Sequence, residues 1–593
     1  MHLSSGKYTI FFRIFARLLS IMIFFMKKIA IFALLIAITL SSCDNKEIIE
    51  ERYLASTTTD VQLYSIDEVG NLSEVQTIVR GRKVRATLSK AVKIEKQNYI
   101  PIELTPKQYF YAKSQSLVTS KQEVAQEREM WVRTPASIIS DCETSLIGGL
   151  GDKGEKLMVL GFDSLRADGR VNRYKVKQGD KEGYIYGKYL VFSKEESLKR
   201  YKAEQYDKVH KAIRNTFGGG EAFGCDFHPT ERVVFESNKM PEACYSLYLN
   251  ISPSTLGNIE AYIAYAKQTK INTFVIDIKD NECPGYKAEA MAKYSPTNYR
   301  YAGNGKEEMY SNAVKRLHEE GFYVVGRITC FKDSHFVKDH PEVAISERAT
   351  GKPFKHNKAY WPSPYDRKVW QFNVELAKEA VRKFGFNEIN FDYVRFPDRL
   401  TKIEKNNIID YHNKYNESKV QVIQRFVQYA CDEIHAVGAY VSVDVFGEAA
   451  NPGYTTAYGQ YWPAISNVCD AICGMPYPDH FSNGYYGIQK PWNHPYELLK
   501  AWGERVQGRQ AVTPTPAAVR TWIQAYPVMR HVDRNGLRYD AEDVEKEIRG
   551  LYDAGLTGGY TTWHSGSNLD KYKAQKGAFC IDYLKEWKEK NNK

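Results

Sequence analysis

The C-terminal part of the chain alternates short apolar runs with longer amphipathic segments. From about residue 240, β-branched apolar runs predict strands, and segments with apolar residues every three to four positions predict helices between them. The predicted strands are Cys244–Asn250, Thr273–Lys279, Tyr323–Thr329, Glu388–Val394, Tyr440–Val445, Ala471–Met475, Val519–Ala525 and Gly559–Trp563. Predicted helices include Asn258–Gln268, Ser311–Glu320, Arg367–Lys383, Val420–Val437 and Ala541–Ala554. This strict alternation predicts an α/β fold, a (β/α)₈ barrel over residues 241–593. The alternative is a doubly wound sheet, but no glycine-rich nucleotide motif follows the first strand.

The preceding residues, 58–193, carry short Val, Ile, Tyr and Leu runs broken by turn residues, which predicts small all-β domains. Residues 126–193 contain Trp131-Val132-Arg133 and end in Gly183-Tyr184-Ile185-Tyr186, Tyr189 and Leu190, and this pattern resembles the bacterial SH3 domain. Three similar elements in residues 58–125 precede their counterparts by 73, 75 and 75 residues, so this region is a possible degenerate SH3-like copy. Residues 194–240 begin with a charged stretch free of Gly and Pro, which predicts a helical linker.

The N-terminal residues have the pattern of a targeting segment. Lys27 and Lys28 precede an apolar run, Ile29–Leu40, that is too short to span a bilayer as a helix. Leu40-Ser41-Ser42-Cys43 follows and resembles the lipobox of bacterial lipoproteins. The resemblance implies a signal peptide over residues 1–43, a lipidated Cys43, a tether over 44–57, and a cell-envelope protein on the periplasmic or cell-surface face of a bacterial membrane. The alternative is a transmembrane anchor from Phe11 to Leu40, which the two lysines would interrupt.

Charge and composition narrow the possible partners. The net charge is +11, and five positive charges with no acid precede residue 43. The rest of the chain therefore has only a small positive net charge. Because there is no arginine-rich tract, nucleic acid is not an expected partner. The ten cysteines show no metal-ligand spacing, so neither a metal nor another cofactor is expected. The 42 tyrosines and 9 tryptophans are typical of surfaces that bind sugars or peptides.

Two acidic residues interrupt strands that should otherwise be apolar. Asp392 and Asp444 each lie two positions after a polar residue, Asn390 and Ser442, near the ends of neighbouring predicted strands. Period-two alternation places both on one face, and we expect this to be the barrel mouth, where active sites of this fold lie. Carboxyl groups on adjacent strands fit the spacing that glycosidases use. We therefore expect Asp392 as nucleophile or base and Asp444 as acid, with Glu448 and Asp280 as alternative acids.

Longer motifs around these residues strengthen this expectation. Phe391-Asp392-Tyr393-Val394-Arg395-Phe396-Pro397, Val443-Asp444-Val445-Phe446-Gly447 and Met475-Pro476-Tyr477-Pro478 resemble a bacterial glycoside hydrolase domain family of unknown function over residues 244–570. The resemblance implies a TIM barrel that acts on a polysaccharide or cell-envelope glycan.

Other polar and aromatic residues near the strand ends are expected to bind substrate. Arg395 has a second interpretation, in which it only holds Asp392 ionised. The expected substrate-binding residues are Lys279, Arg327, Tyr393, Arg395, Tyr477, Gln524 and Trp563. The alternative functions are a non-catalytic glycan- or cell-wall-binding lipoprotein and a metal-dependent deacetylase, although no convincing Asp/His/His set supports the latter.

Overall fold

The computed structural model describes residues 47–144, 146–201, 222, 224–303, 306–451, 456–534 and 538–591. The predicted signal peptide, Cys43 and the start of the tether lie outside these residues. Across the described ranges, no helix is both long enough and apolar enough to cross a membrane. The chain divides into two compact units. One runs to Glu127 and includes Leu165–Arg170, and the other contains Arg128–Ser164 and the rest of the chain from Val171.

The first unit is built on one antiparallel sheet. Its apolar core contains Leu54, Val61, Leu63, Ala86 and Ile102, which are at most 2% exposed. The strands are Ile49–Leu54, Asp60–Ile66, Leu72–Val79, Lys83–Thr87, Val92–Ile94, Gln97–Thr105, Gln108–Lys113 and Leu117–Val118. The short 3₁₀ turns are Leu88–Lys90, Ser114–Ser116 and Lys121–Glu123.

The second unit begins with another small antiparallel sheet. Its strands are Glu129–Val132, Ala136–Asp141, Leu146–Gly151, Lys156–Phe162, Arg173–Gln178, Lys181–Tyr186 and Leu190–Val191, with a 3₁₀ turn at Gly187–Tyr189. With Val92–Ile94 of the first sheet set aside, both sheets have the strand order third, second, sixth, fifth, fourth, first, seventh. The two all-β regions therefore share one topology, and their assignment as SH3-like stays a prediction.

The segment after this sheet corresponds to the predicted helical linker, and most of its charged stretch lies outside the described residues. Helix Lys194–Leu198 is short, the stretch 202–221 is not described, and 224–240 forms turns and bends. Side-chain hydrogen bonds join residues 224–240 to the barrel. Arg232 Nη2 donates to the carbonyl oxygen of Ser466 at 2.9 Å, and Asn238 Nδ2 donates to that of Asn387 at 2.8 Å. The helical linker therefore stays a prediction.

Eight parallel strands then close into a barrel. They are β1 (Cys244–Leu249), β2 (Thr273–Asp280), β3 (Tyr323–Thr329), β4 (Glu388–Asp392), β5 (Tyr440–Phe446), β6 (Ala471–Met475), β7 (Ala518–Gln524) and β8 (Gly559–Trp563). Each strand pairs with the next, and β1 pairs with both β2 and β8, which leaves no free edge in the ring. The predicted (β/α)₈ barrel is confirmed, and the doubly wound sheet is wrong because an open sheet would leave β1 with one neighbour.

Helices cover the outside of the barrel and bury its outward apolar side chains. Helix Arg367–Phe384 ends at Gly385, which adopts the left-handed conformation (φ 77°) that a helix C-terminus favours. The helices of four or more residues from residue 253 are Pro253–Leu256, Ile259–Ala266, Glu289–Tyr294, Pro296–Tyr301, Lys306–Glu319, Ser334–Asp339, Arg367–Phe384, Thr401–Lys405, Lys419–His435, Trp462–Ser466, Pro495–Ala511, Ala541–Asp553, Leu569–Ala574, Lys576–Phe579 and Tyr583–Asn591.

The second small sheet packs on one of these helices, Lys419–His435. Tyr189 donates its hydroxyl to Asp432 Oδ2 at 2.7 Å, and Lys188 Nζ lies 2.5 Å from Asp432 Oδ1. Gln428 Nε2 also donates to the carbonyl oxygen of Pro135 at 3.0 Å. These buried polar contacts fix the sheet against the barrel within one unit.

Candidate active site

One buried arginine organises the carboxyl groups at the mouth of the barrel. Arg327, on β3, is 3% exposed. Its Nη1 donates to Asp277 at 2.6 Å and to Asp280 at 3.3 Å, and its Nη2 donates to Asp392 at 2.5 Å. Charge-assisted bonds of this kind offset the cost of taking a cation out of water only when the geometry is good. The arginine thus fixes acids from β2 and β4 in one place.

Asp392 and Asp444 occupy different surroundings on adjacent strands, where Asn390 of β4 is in register with Ser442 of β5. Asp392 accepts from Arg327 and from the backbone N–H of Tyr393, both donors that suit a carboxylate. Asp444 Oδ1 accepts from Asn390 Nδ2 at 2.9 Å and from Trp522 Nε1 at 2.7 Å. Among the described residues, Asp444 Oδ2 has no hydrogen-bond partner.

Burial raises the pKa of two acids at the mouth of the barrel. The pKa of Asp444 is raised well above its ordinary value by burial, reinforced by the negative charge of Asp392 and opposed by Arg327. Burial also raises the pKa of Asp277 to about 6, with Arg327 opposing the shift. The mouth therefore combines one carboxyl group whose burial favours its protonated form with another that is bound by a cation.

These groups open into one pocket, which we call the barrel-mouth pocket. Its volume is about 170 Å³, below the roughly 300–1,000 Å³ of pockets for drug-sized ligands. Trp563 forms one wall, since its ring lies 4.6 Å from that of Tyr248 and 5.6 Å from that of Trp522. The pocket is lined by Arg327, Asp392, Tyr393, Arg395, Asp444, Phe446, Met475, Tyr477, His480, Trp522 and Trp563. Of the predicted site residues, Asp392, Asp444, Arg327, Tyr393, Arg395, Tyr477 and Trp563 meet here.

Lys279, predicted to bind substrate, lies outside this pocket. The pairing of β2 with β3 shifts register between Asp277 and Lys279, so the two residues do not share a face as alternation would require. The fully buried Lys279 instead donates to the carbonyl oxygen of Thr329 and to Asp333 at 3.0 Å. Its ammonium group is engaged in these structural contacts and does not line the pocket.

Gln524 was also predicted to bind substrate, and it too lies outside this pocket. It is the last residue of β7 and is fully buried. Its amide accepts from the backbone N–H of Asp479 at 3.3 Å and donates to the carbonyl oxygen of Tyr526 at 3.1 Å. The side chain therefore ties two loops together and does not line the pocket.

The two alternative acids lie beside the pocket and not on its lining. Glu448 accepts the hydroxyl of Tyr458. Asp280 is about one third exposed and contacts Arg327 from the solvent side. Neither shares a pocket wall with Asp392, so the geometry favours Asp444 as the partner acid.

Sequence reasoning did not assign the lining residues Phe446, Met475, His480 and Trp522 to this site, nor Asp277 and Tyr248 behind them. Asp277 follows the same inward alternation in β2 as Asp392 does in β4, so its position was a usable signal. Trp522 and Tyr248 are bulky residues in apolar strands and are indistinguishable from core by pattern alone, yet each donates a hydrogen bond to a site carboxyl group. No cluster of three or more His, Cys, Asp or Glu suited to a metal occurs in the described part of the chain.

Comparisons with known proteins agree with this architecture. Residues 246–569 match the family described as "Putative glycosyl hydrolase domain". No curated protein matches the chain. A hypothetical protein from Ruminiclostridium thermocellum ATCC 27405 is 30% identical over 34% of this chain and 97% of its own, with a TM-score of 0.29. The PgaB (BpsB) glycoside hydrolase domain from Bordetella bronchiseptica is 11% identical over 57% of this chain and 100% of its own, with a TM-score of 0.40. Since the family match spans more than half of the sequence, the chain belongs to this glycosyl hydrolase domain family.

Proposed function

We propose that the protein hydrolyses glycosidic bonds in a polysaccharide or cell-envelope glycan. The observation that carries this proposal is the pair of carboxyl groups on β4 and β5, which line one pocket in unequal electrostatic environments. Glycosidases need one carboxyl group that is protonated and one that is ionised on the two sides of the scissile bond. Burial favours the protonated form of Asp444, and the guanidinium of Arg327 binds Asp392, so we assign the first role to Asp444 and the second to Asp392.

In this mechanism Asp444 is the general acid. Its proton passes to the glycosidic oxygen as the bond to the anomeric carbon breaks, and the departing sugar leaves as an alcohol. Asp392 either removes a proton from the attacking water or attacks the anomeric carbon itself. In the second case it forms a glycosyl ester, which water then hydrolyses while Asp444 takes up the proton of that water. Arg327 holds the Asp392 carboxylate in place through Nη2. Trp563 offers a ring face on which a sugar can stack.

The test is release of reducing ends from a glycan panel by the full-length protein in a sugar-free detergent. The panel contains bacterial, plant and host polysaccharides and peptidoglycan. We expect release that disappears in Asp392→Asn and Asp444→Asn and persists in Asp410→Asn, a surface carboxylate paired with Arg348. The anomer released first, read by NMR, then distinguishes retention from inversion. Normal turnover by Asp392→Asn would overturn the assignment, and binding without release would favour a non-catalytic glycan-binding module.

We also propose that Cys43 is lipidated and anchors the protein to a bacterial membrane in the cell envelope. The lipobox-like Leu40-Ser41-Ser42-Cys43 after an apolar run supports this proposal. Cys43→Ser should abolish incorporation of a labelled fatty acid and move the protein to the soluble fraction. Unchanged membrane association with no label in the wild type would contradict lipidation.

A further inference from the structure

Arg395 lines the barrel-mouth pocket but has no role in the chemistry described above. It lies three residues beyond Asp392 in the loop that follows β4. The cation that contacts Asp392 is Arg327, so the interpretation in which Arg395 holds Asp392 ionised does not apply. Arg395 is 6% exposed, and burying a charge is costly in free energy unless other contacts compensate for the lost hydration.

Aromatic rings hold the guanidinium of Arg395 in a fixed position. Its central carbon is 4.4 Å from the ring centroid of Phe446, 5.0 Å from that of Tyr393 and 5.1 Å from that of Trp361. Such cation–π contacts orient the planar group without occupying its N–H donors. The group is thereby pre-organised to bind a ligand.

Most of the hydrogen-bonding capacity of Arg395 is unused. Both of its hydrogen bonds come from Nη1, to the carbonyl oxygen of Phe396 at 3.0 Å and to Asp398 at 3.4 Å. Within the described residues, Nε and Nη2 make no hydrogen bond, and they are not among the fully enclosed unpartnered atoms. Because Arg395 lines the pocket, these three N–H donors are available to an occupant of it.

A second cation lies near the same wall. Lys332 Nζ is 5.0 Å from the ring centroid of Tyr393 and has no carboxylate partner in the described ranges. Tyr393 itself adopts the left-handed backbone conformation (φ 52°), which is rare for an aromatic residue. The ring of Tyr393 thus lies 5.0 Å from each of two positive groups, Lys332 and Arg395, beside the pocket.

We propose that the barrel-mouth pocket recognises a sugar that carries a carboxylate, and that Nε and Nη2 of Arg395 bind this carboxylate through two parallel hydrogen bonds. The inference rests on the proposed function in taking a glycan as the ligand. A guanidinium fork matches a carboxylate in just this way.

The experiment compares acidic oligosaccharides with their carboxyl-reduced forms, which keep the same sugars and linkages. Full-length Asp392→Asn protein in a sugar-free detergent is titrated by calorimetry with a panel of uronic-acid oligosaccharides, the reduced form of each, and sulfated and amino-sugar oligosaccharides. We expect at least one acidic oligosaccharide to bind about 10- to 100-fold more tightly than its reduced form.

Variants separate recognition from structure. In the same background, Arg395→Gln should lower the affinity for the acidic form to that of the reduced form and leave the latter unchanged. Arg395→Lys, which keeps the charge but loses the fork, should give an intermediate loss. Arg399→Gln is the control, because Arg399 is 88% exposed in the same loop and should bind like the parent.

Any of four results would overturn the inference. The acidic and reduced forms bind equally, Arg395→Gln weakens both forms equally, the sulfated or amino-sugar oligosaccharides bind more tightly, or no oligosaccharide binds. Its failure is distinct from failure of the proposed function, since the assay involves no hydrolysis. Arg395-dependent binding with no cleavage of any glycan by the wild type would retain this inference and refute the glycosidase. Cleavage of neutral glycans without preference for acidic ones would do the reverse.

Discussion

Replacing Arg327 with methionine removes the cation on which the site carboxyl groups depend. Methionine retains the apolar stem but leaves Asp277 and Asp392 without a positive partner in a buried place. Asp277 is 1% exposed, and its bond to Arg327 is 2.6 Å long. Removing one partner from a buried ion pair costs about 3–5 kcal/mol, because the remaining charge is uncompensated. We expect a loss of this size at pH 7.

The matched control is Arg316→Met on the outer helix Lys306–Glu319. Arg316 also contacts three carboxylates, those of Glu260, Glu319 and Glu320, but its side chain is 27% exposed. Surface ion pairs contribute about 0–1 kcal/mol, so this variant should lose no more than about 1 kcal/mol. The comparison holds the chemistry constant and varies only the burial.

Urea unfolding followed by tryptophan fluorescence gives the free energy of unfolding. All nine tryptophans lie at or after Trp131, so the signal reports the second unit alone. The deficit of Arg327→Met should also shrink as the pH falls through about 6, where Asp277 takes up a proton and no longer needs a positive partner. A deficit no larger than that of Arg316→Met, or one that does not change with pH, would refute the reasoning.

Three further changes follow from the same geometry. Trp522→Phe removes an N–H donor that favours the charged form of Asp444, so the pKa of this acid should rise. The alkaline limb of the pH profile of kcat/KM should then move up by about one pH unit. An alkaline limb that does not move would argue against Asp444 as the acid. Burial raises the pKa of Asp277 from 3.8 to about 6, so the stability that its bound proton contributes is complete below about pH 4 and is lost as pH rises through 6. The non-titrating Asp277→Asn should therefore gain up to about 3 kcal/mol relative to wild type between pH 4 and pH 7 in urea unfolding, and parallel curves would contradict this. Tyr189→Phe loses the 2.7 Å bond to buried Asp432 and should cost about 1–3 kcal/mol in the same assay, whereas an unchanged midpoint would show that this contact is dispensable.

The barrel and its mouth were predictable because they follow from side-chain periodicity. Apolar runs marked all eight strands, and Asp392 and Asp444 stood out because carboxyl groups are rare in buried parallel strands. Their meeting in one pocket then follows from topology, since the C-terminal ends of all eight strands lie at one end of the barrel.

The remaining details depend on features without a sequence signal. The register shift in β2 turns Lys279 away from the mouth, and alternation alone cannot reveal a bulge. Gln524 follows the inward alternation of β7, but its side chain is hydrogen-bonded to loop residues beyond the strand end. The two interpretations of Arg395 were distinguishable only once Arg327 was found on Asp392.

The contact between the second small sheet and helix Lys419–His435 bears on how this protein can be dissected. The family match begins at residue 246, but a fragment cut there would lose Tyr189 and Lys188 and leave Asp432 without the donors that now satisfy it. The match also ends before Leu584, whose backbone N–H donates to the hydroxyl of Tyr245 at 2.9 Å. The region that matches the family is thus smaller than the region that these contacts join together, and expression of the barrel should begin before Arg128 and continue through helix Tyr583–Asn591.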